Sequence, residues 1–300
     1  MTRLTKAYLA VLFITCVWGT SYLAIRVVVQ HYPPWLFAAI RQLAASIIII
    51  SAGLMMRRKA DLSRTNLLHQ SILGFLMFTL GNGLVAWGLK YVHGGVAALI
   101  STLMPLCAVV IGMLMVKGEK LNRLVIVGML LGFTGTTIVL SKDVDGPDGL
   151  YYFFGVGAVF MATFAWAAGS VYSRQRLSGG DQMVNAGLQL FFGSVFLFLA
   201  SPFVDIYDNL HLLHPMVIWP MVYLVVFGSV VGYLAYTFAL RVLPVGIVTL
   251  YSYFTPLVAI VAGYFLLAEP LSWSVFTAFI LIVVGVYMVN RGYREKREDF

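Results

Sequence analysis

Long apolar segments, separated by short polar ones, follow each other along the whole chain. Each is about 20 residues long, the length that an α-helix needs to cross the hydrocarbon core of a bilayer. The pattern predicts an all-α integral membrane protein with ten transmembrane helices, whose connections are too short to hold a folded domain. The predicted spans are 7–28, 34–56, 68–91, 95–116, 122–141, 151–173, 183–201, 216–240, 245–267 and 273–290.

The apolar pattern occurs twice. Residues 81–112 align with residues 232–263 at a constant offset of 151. The chain therefore divides into two repeats of five predicted spans each, residues 1–145 and 146–300. Because five is an odd number, the second repeat enters the membrane from the opposite side. Two inverted repeats around a central cavity are a recurring plan of secondary transporters.

The placement of charge predicts the orientation. If both termini are cytoplasmic, sixteen of the twenty Lys and Arg residues fall on the cytoplasmic side, as the positive-inside rule requires. Hydrophobic residues make up 61% of the chain, against about 45–50% in soluble domains, so the lipid bilayer is the expected surrounding. The net charge of +8 is then a topology signal, and no nucleic-acid partner is expected.

Several short motifs point to one family. Residues 18–22 read Trp-Gly-Thr-Ser-Tyr, Arg41 follows in the second span, and residues 118–121 read Gly-Glu-Lys-Leu. The second half repeats the pattern with Pro256 and with Ala-Glu-Pro-Leu at 268–271. In these motifs the chain resembles the EamA-type exporters of the drug/metabolite transporter superfamily, which include exporters of aromatic amino acids. The resemblance implies a multi-pass protein of the bacterial inner membrane, with a cavity lined mainly by spans 1, 3, 4, 6, 8 and 9.

The second half departs from this pattern at two places. Trp166 is followed by Ala-Ala-Gly, where Trp18 is followed by Gly-Thr-Ser, and Gln189 stands where the first half has Arg41. We therefore expect the two sides of the cavity to be chemically unequal.

Candidate substrate-binding residues are aromatic or small polar side chains at matching depths of the predicted cavity helices. Aromatic walls suit the apolar part of a solute, while hydroxyl and amide groups would take its polar end. The alternatives are packing or lipid contact for each aromatic ring, and an interhelical hydrogen bond for the amide. The candidates are Trp18, Tyr22, Asn82, Trp87, Ser101, Trp166, Tyr233, Tyr236, Tyr251, Ser252 and Tyr253.

Two prolines, Pro105 and Pro256, lie at equivalent positions in the middle of predicted spans. A proline inside a helix removes a backbone hydrogen bond, and in a membrane the broken turn must face protein or a watery cavity. We predict that both act as gating hinges, together with Gly81 and Gly83. A static kink is the alternative.

Charged residues inside the predicted spans are few. Arg41 lies roughly 10 Å from the outer end of its span at 1.5 Å per residue and is a candidate partner for a substrate carboxylate. The alternative is a structural role, in which it snorkels to lipid headgroups or bonds loop carbonyl groups. None of the twelve carboxylates lies near the centre of a predicted span, which disfavours proton coupling through a midplane acid. Glu119 and Glu269 come nearest, and we expect them beside the first turns of spans five and ten, which Asn122 and Ser272 would cap.

The sequence thus predicts an alternating-access exporter of small metabolites, with neutral and aromatic amino acids as the favoured substrates. A multidrug exporter or an exporter of other metabolites such as nucleosides is the alternative, and a membrane-embedded enzyme is the alternative from another class. No catalytic residue or cofactor is expected, because the sequence contains no paired-aspartate metal motif, nucleophile elbow, His-Glu-x-x-His motif or phosphate-binding loop. No metal site is expected either, since Cys16 and Cys107 lie singly in different spans. One chain is the expected working unit. In the alternative of a homodimer, Gly128 and Gly132 would pack against a second protomer instead of span ten.

Overall fold

The computed structural model describes residues 1–115, 123–140, 149–175, 179–207, 215–243, 248, 251–269 and 272–298. Within these ranges the chain is helical, with short connections and no β-strand. The helices are α1 (Arg3–Val29), α2 (Pro34–Met55), α3 (Arg64–Leu73), π1 (Gly74–Asn82), α4 (Gly83–Gly88), α5 (Gly94–Ser101), α6 (Met104–Met115), α7 (Arg123–Leu140), α8 (Gly149–Gln175), α9 (Gln182–Val204), α10 (Pro215–Tyr223), π2 (Leu224–Val231), α11 (Gly232–Val242), α12 (Tyr251–Leu267) and α13 (Trp273–Glu298).

Seven helical segments of the described chain are long and apolar enough to cross a membrane. They are Arg3–Val29, Pro34–Met55, Arg64–Gly88, Gly94–Gly112, Gly149–Ser173, Gln182–Val204 and Met216–Ala239. The three other predicted spans coincide with shorter apolar helices, Arg123–Gly135, Phe254–Leu267 and Trp273–Val289. The all-helical, membrane-spanning architecture is therefore confirmed, while the number of ten spans stays a prediction.

Helix starts follow from local capping groups. The side chains of Thr2, Ser63 and Asp181 accept hydrogen bonds from the first turns of α1, α3 and α9, which satisfies N–H groups that have no partner inside the helix. The first turn of α2 is capped from the other half, because the Asp205 carboxylate accepts the N–H groups of Trp35 and Leu36 at 3.1 and 2.8 Å. This contact ties the end of α9 to the start of α2.

Helices of one half pack mainly against helices of the other. α1 packs against π2, α11 and α12, while α8, its counterpart in the second half, packs against π1, α4 and α6. α2 packs against α9, and α7 packs against α13. Exchanging the two halves leaves this pattern of contacts unchanged, as a two-fold axis between them would require. The opposite orientation of the halves in the membrane stays a prediction.

Each half contains a π-helical segment at an equivalent place. π1 begins at Gly74 and π2 at Leu224, 150 residues apart, close to the offset of the sequence repeat. A π-helical turn rotates the side chains that follow it relative to those before it, and such turns are frequent at functional sites. The apolar periodicity of the sequence does not reveal them.

The two halves differ around their mid-span prolines. In the first half the helix is interrupted between α5 and α6, where the N–H groups of Thr102 and Leu103 bond to carbonyl groups three residues earlier. Pro105 follows as the second residue of α6, and its side chain lies outside the described residues. In the second half α12 runs through Pro256 without interruption. The hinge role of the prolines stays a prediction, but their local structures are not equivalent.

Close backbone contact joins α7 to α13. A Cβ atom added to Gly285 would lie 2.5 Å from the carbonyl oxygen of Gly128, and one added to Gly128 would meet the carbonyl oxygen of Gly285. A Cβ atom on Gly132 would instead meet Leu106 at 2.6 Å. Of the two partners predicted for this glycine motif, span ten of the same chain is therefore the one that Gly128 contacts.

Replacing Gly128 by valine is expected to lower the free energy of unfolding by about 1–3 kcal/mol, the usual cost of overpacking a close contact. The measurement is the thermal unfolding midpoint of the detergent-solubilised protein. Gly157→Val in α8 is the matched control, because a Cβ atom there meets nothing within 4 Å while the change in helix propensity is the same. Equal midpoints for the two variants would show that the α7–α13 contact does not limit stability.

Candidate functional site

A cavity of about 140 Å³ lies between the two halves. Side chains of α1, α2, π1 and α4 to α6 line it from the first half, and side chains of α8, π2, α11 and α12 line it from the second half. Most of the sequence candidates lie on this wall. They are Trp18, Tyr22, Arg41, Gly81, Asn82, Ser101, Trp166, Tyr233, Tyr251 and Ser252.

Three of the remaining candidates lie elsewhere. Trp87 packs against Tyr91 with the ring centroids 5.0 Å apart, and a Cβ atom on Gly83 would meet Leu197 at 2.8 Å. Tyr236 stands behind the wall, with its ring centroid 5.4 Å from that of Trp18. The structure therefore does not bring these residues to the cavity. The side chain of Tyr253 lies outside the described residues.

Trp18 and Trp166 occupy equivalent positions in the two halves and meet edge to face, with ring centroids 6.4 Å apart. Each indole rests against a glycine of the opposite half. A Cβ atom on Gly81 would lie 3.0 Å from the Trp166 ring, and one on Gly232 would lie 2.9 Å from Trp18 Nε1. The two glycines are themselves equivalent in the repeat, so Gly81 is explained by the close approach of a tryptophan.

The two indole N–H groups have different surroundings. Trp18 Nε1 donates a hydrogen bond to the carbonyl oxygen of Gly228 in π2 at 3.1 Å, which connects α1 to the π-helical segment. Trp166 Nε1 is buried without a hydrogen-bond partner among the described residues. Since an unpaired buried donor is costly, the indole of Trp166 is held less favourably than that of Trp18.

Four hydroxyl groups on the wall already donate their protons to backbone carbonyl groups of their own helices. The hydroxyls of Ser21, Ser101, Thr163 and Thr255 each donate to the carbonyl oxygen four residues earlier, at 2.6 to 2.9 Å. Tyr22 in turn donates to Ser101 Oγ at 2.7 Å. A hydroxyl whose proton is used still has lone pairs, so these oxygens offer acceptors to a solute. The resulting surface is mostly aromatic, with scattered acceptor sites.

Arg41 is 93% buried, with 7% of its surface exposed, and it reaches the cavity wall from α2. Its Nε donates to Ser229 Oγ in π2 at 2.9 Å, and its guanidinium carbon lies 6.0 Å from the centre of the Phe37 ring. The guanidinium is therefore held between α2 and π2.

A buried chain of amide groups leads away from the cavity. It begins at Tyr233, whose hydroxyl donates to Gln189 Oε1 at 2.5 Å. The Gln189 amide donates to Gln70 at 2.7 Å, and the Gln70 amide donates to Asn66 at 2.9 Å. The chain ends where Asn66 donates to Asn185 at 3.0 Å. Both asparagines also donate to backbone carbonyl oxygens, which fixes the direction of every bond. Sequence reasoning missed this network. The signal was two pairs of amides one turn apart, Asn66 with Gln70 and Asn185 with Gln189, each near the start of an apolar span.

Glu269 is the acidic residue that the sequence placed wrongly. Its carboxylate accepts the N–H groups of Gly94 and Gly95 at 3.0 and 3.4 Å, and so caps α5 in the other half instead of α13. Arg26 Nη1 and His93 Nδ1 lie 3.6 and 3.7 Å from the same Oε1 atom. Burial alone would raise the pKa of this carboxyl group, but His93, the Gly94 N–H and Arg26 together lower the pKa below its ordinary value of 4.5.

The predicted cap of α13 is present, because Ser272 Oγ accepts the N–H of Val275 at 3.3 Å. Glu119 and Asn122, the corresponding residues before α7, lie outside the described residues.

In the described part of the chain no three His, Cys, Asp or Glu side chains come together in a way that would hold a metal ion.

Comparison with known proteins gives the family. The sequence profile of the EamA-like transporter family matches two segments, residues 5–141 and 153–291. The uncharacterized inner membrane transporter YedA of Escherichia coli K12 is 30% identical over 280 residues, which cover 92% of this chain and 88% of that protein. The uncharacterized transporter YvbV of Bacillus subtilis is 27% identical, with 95% and 92% covered.

One solved crystal structure shares the fold at 20% sequence identity, with a TM-score of 0.64 over 95% of this chain and 96% of that one. The profile matches cover nearly all of both halves, and relatives of this similarity span almost the full chain. The protein therefore belongs to the EamA-like transporter family, as its motifs predicted.

Proposed function

We propose that this transporter exports small amphipathic metabolites, neutral and aromatic amino acids foremost, by alternating access across a bacterial inner membrane. The observation that carries the proposal is the cavity between the two halves. Its wall combines aromatic faces with hydroxyl oxygens that can still accept hydrogen bonds. Such a wall would hold an aromatic or aliphatic side chain by stacking and dispersion. The hydroxyl oxygens and the π faces would accept an ammonium group.

The size of the cavity favours small substrates. Its volume of about 140 Å³ is close to that of an engineered cavity of about 150 Å³ that holds benzene. Pockets for drug-sized ligands are larger, about 300–1,000 Å³. One aromatic ring with a short polar group therefore suits the space better than a multidrug substrate does.

The helix architecture supports alternating access. The cavity is bordered by the interrupted turn between α5 and α6 and by both π-helical segments, where hydrogen bonding departs from the regular α-helical pattern. Discontinuous helices at a central site are a feature of transporters whose repeats move against each other. We place the protein in the inner membrane because its relative YedA carries that description. One chain supplies both sides of the cavity, which supports a monomeric working unit.

The test is uptake of labelled phenylalanine, leucine, a nucleoside and a lipophilic cation into proteoliposomes, with and without an imposed pH gradient. We expect saturable uptake of the two amino acids that does not depend on the gradient, because no carboxylate lines the cavity among the described residues. Uptake of only the nucleoside or the cation would replace the proposed substrate class. Chemical conversion of a solute, detected by chromatography, would favour the membrane-enzyme alternative.

A further inference from the structure

We infer that Arg41 is the receptor for a carboxylate of the substrate, so that an anionic group is obligatory for transport and an amine is not. The inference rests on the proposed function, since it assigns a substrate class to the same cavity. It goes beyond that function because it predicts that aromatic carboxylic acids without an amino group are substrates, whereas the corresponding amines are not.

The first argument is electrostatic. Arg41 is buried and lines the cavity, yet no carboxylate of the described residues forms an ion pair with it. The described cavity wall contains no Asp or Glu at all. Removing a charge from water without a counter-ion is costly. A solute anion would supply the counter-charge that the protein itself does not supply there.

The second argument is the number of donors left over. A guanidinium has five N–H donors in a fixed planar arrangement. The bond from Nε to Ser229 Oγ uses one of them, and no other hydrogen bond of this group is present among the described residues. The bond to Ser229 orients the group, and the remaining N–H groups match the two oxygens of a carboxylate, which guanidinium groups bind in a bidentate manner.

The third argument is the asymmetry of the two halves. The residue equivalent to Arg41 is Gln189, and its amide is already satisfied by Gln70 and Tyr233. The cavity therefore has one cationic pole rather than two. A single pole fits a monocarboxylate with an apolar body. It does not attract an amine or a lipophilic cation, which would have to approach an uncompensated positive charge.

The experiment compares three ligands that share a phenyl ring as competitors of labelled phenylalanine uptake. They are phenylalanine, 3-phenylpropionate, which has no amine, and 2-phenylethylamine, which has no carboxylate. We expect the first two to compete and the amine not to compete. In Arg41→Gln the KM for phenylalanine should rise about ten- to a hundredfold, as for the loss of a hydrogen bond to a charged group, and Arg41→Lys should fall between Arg41→Gln and the wild type.

Gln42→Leu is the matched control on the same helix. Gln42 is 1% exposed, does not line the cavity and has no hydrogen-bond partner for its amide among the described residues. Its replacement should leave KM unchanged. Wild-type uptake with equal competition by the amine and the acid, and with an unchanged KM in folded Arg41→Gln, would overturn the inference while leaving the proposed function intact.

A binding measurement separates the two failures. The thermal midpoint of the detergent-solubilised protein should rise with 3-phenylpropionate and not with 2-phenylethylamine, and this rise should vanish in Arg41→Gln. If the protein takes up no amino acid but shows this carboxylate-specific stabilisation, the proposed substrate is wrong and the role of Arg41 stands. If the acid and the amine stabilise it equally, or neither does so, Arg41 is not a carboxylate receptor.

Discussion

Replacing Trp18 by alanine is expected to lower the rate of substrate uptake per folded molecule at least tenfold. Trp18 lies at the centre of the aromatic wall, with ring centroids 4.9 Å from Tyr251, 5.4 Å from Tyr236 and 6.4 Å from Trp166. The indole also binds the carbonyl oxygen of Gly228. The substitution therefore removes a wall of the cavity and the link between α1 and π2. A tenfold effect corresponds to about 1.4 kcal/mol, well below the cost of deleting a packed tryptophan.

Three further variants separate transport from stability. Trp18→Phe keeps an aromatic ring but loses the N–H donor, so it should fall between alanine and the wild type. Trp219 and Trp273 are 77% and 84% exposed, and replacing either by alanine should leave uptake unchanged. Size-exclusion chromatography gives the folded fraction of each variant. Normal uptake by folded Trp18→Ala would show that this wall is not part of the transport site.

The repeat in the sequence predicts much of this site, because equivalent positions carry equivalent geometry. Trp18 and Trp166 follow from their matching places in the first span of each half, and Gly81 with Gly232 follows from the same alignment. The structure brings all four together because the two halves interleave. Apolar segment length similarly predicts the helices, since backbone groups in a bilayer have to be satisfied within the helix.

What the sequence does not predict depends on which helix faces turn towards each other. Trp87 and Trp166 look alike as aromatic residues of cavity helices, yet Trp87 packs against Tyr91 outside the cavity. The π-helical turns are invisible because one extra residue in a turn leaves an apolar segment apolar. Glu269 was assigned to the helix that follows it, since sequence proximity cannot show that its carboxylate lies at the start of α5.

Replacing Glu269 by glutamine is expected to lower the free energy of unfolding by several kcal/mol. Its carboxylate is 8% exposed, caps α5 and faces Arg26, whose Nη1 atom is buried and has no hydrogen-bond partner among the described residues. Neutralising one member of a buried ion pair leaves the other charge uncompensated, which costs about 3–5 kcal/mol. We expect the lower end of this range, because the Arg26 side chain is 23% exposed.

Arg58→Gln provides the control for the loss of an ion pair as such. Arg58 and Asp181 lie 3.8 Å apart with side chains 46% and 22% exposed, and exposed pairs contribute only about 0–1 kcal/mol. The thermal midpoint of Glu269→Gln should therefore fall well below that of Arg58→Gln. A fall of equal size in both variants would mean that the Glu269 contacts contribute no more than a surface pair.

Acid titration should show the same contribution with a defined sign. The pKa of Glu269 is lower in the folded protein than its ordinary value of 4.5, so the folded state prefers the charged carboxylate. Stability from this group is present above pH 4.5 and is lost as the pH falls through the lowered pKa. The midpoint difference between wild type and Glu269→Gln should therefore shrink as the pH falls below 4.5, where the neighbouring His93 is already protonated and only the carboxyl group titrates. A difference that grows below pH 4.5 would require a carboxyl group that is protonated more easily in the folded state, which contradicts a cap formed by a charged carboxylate.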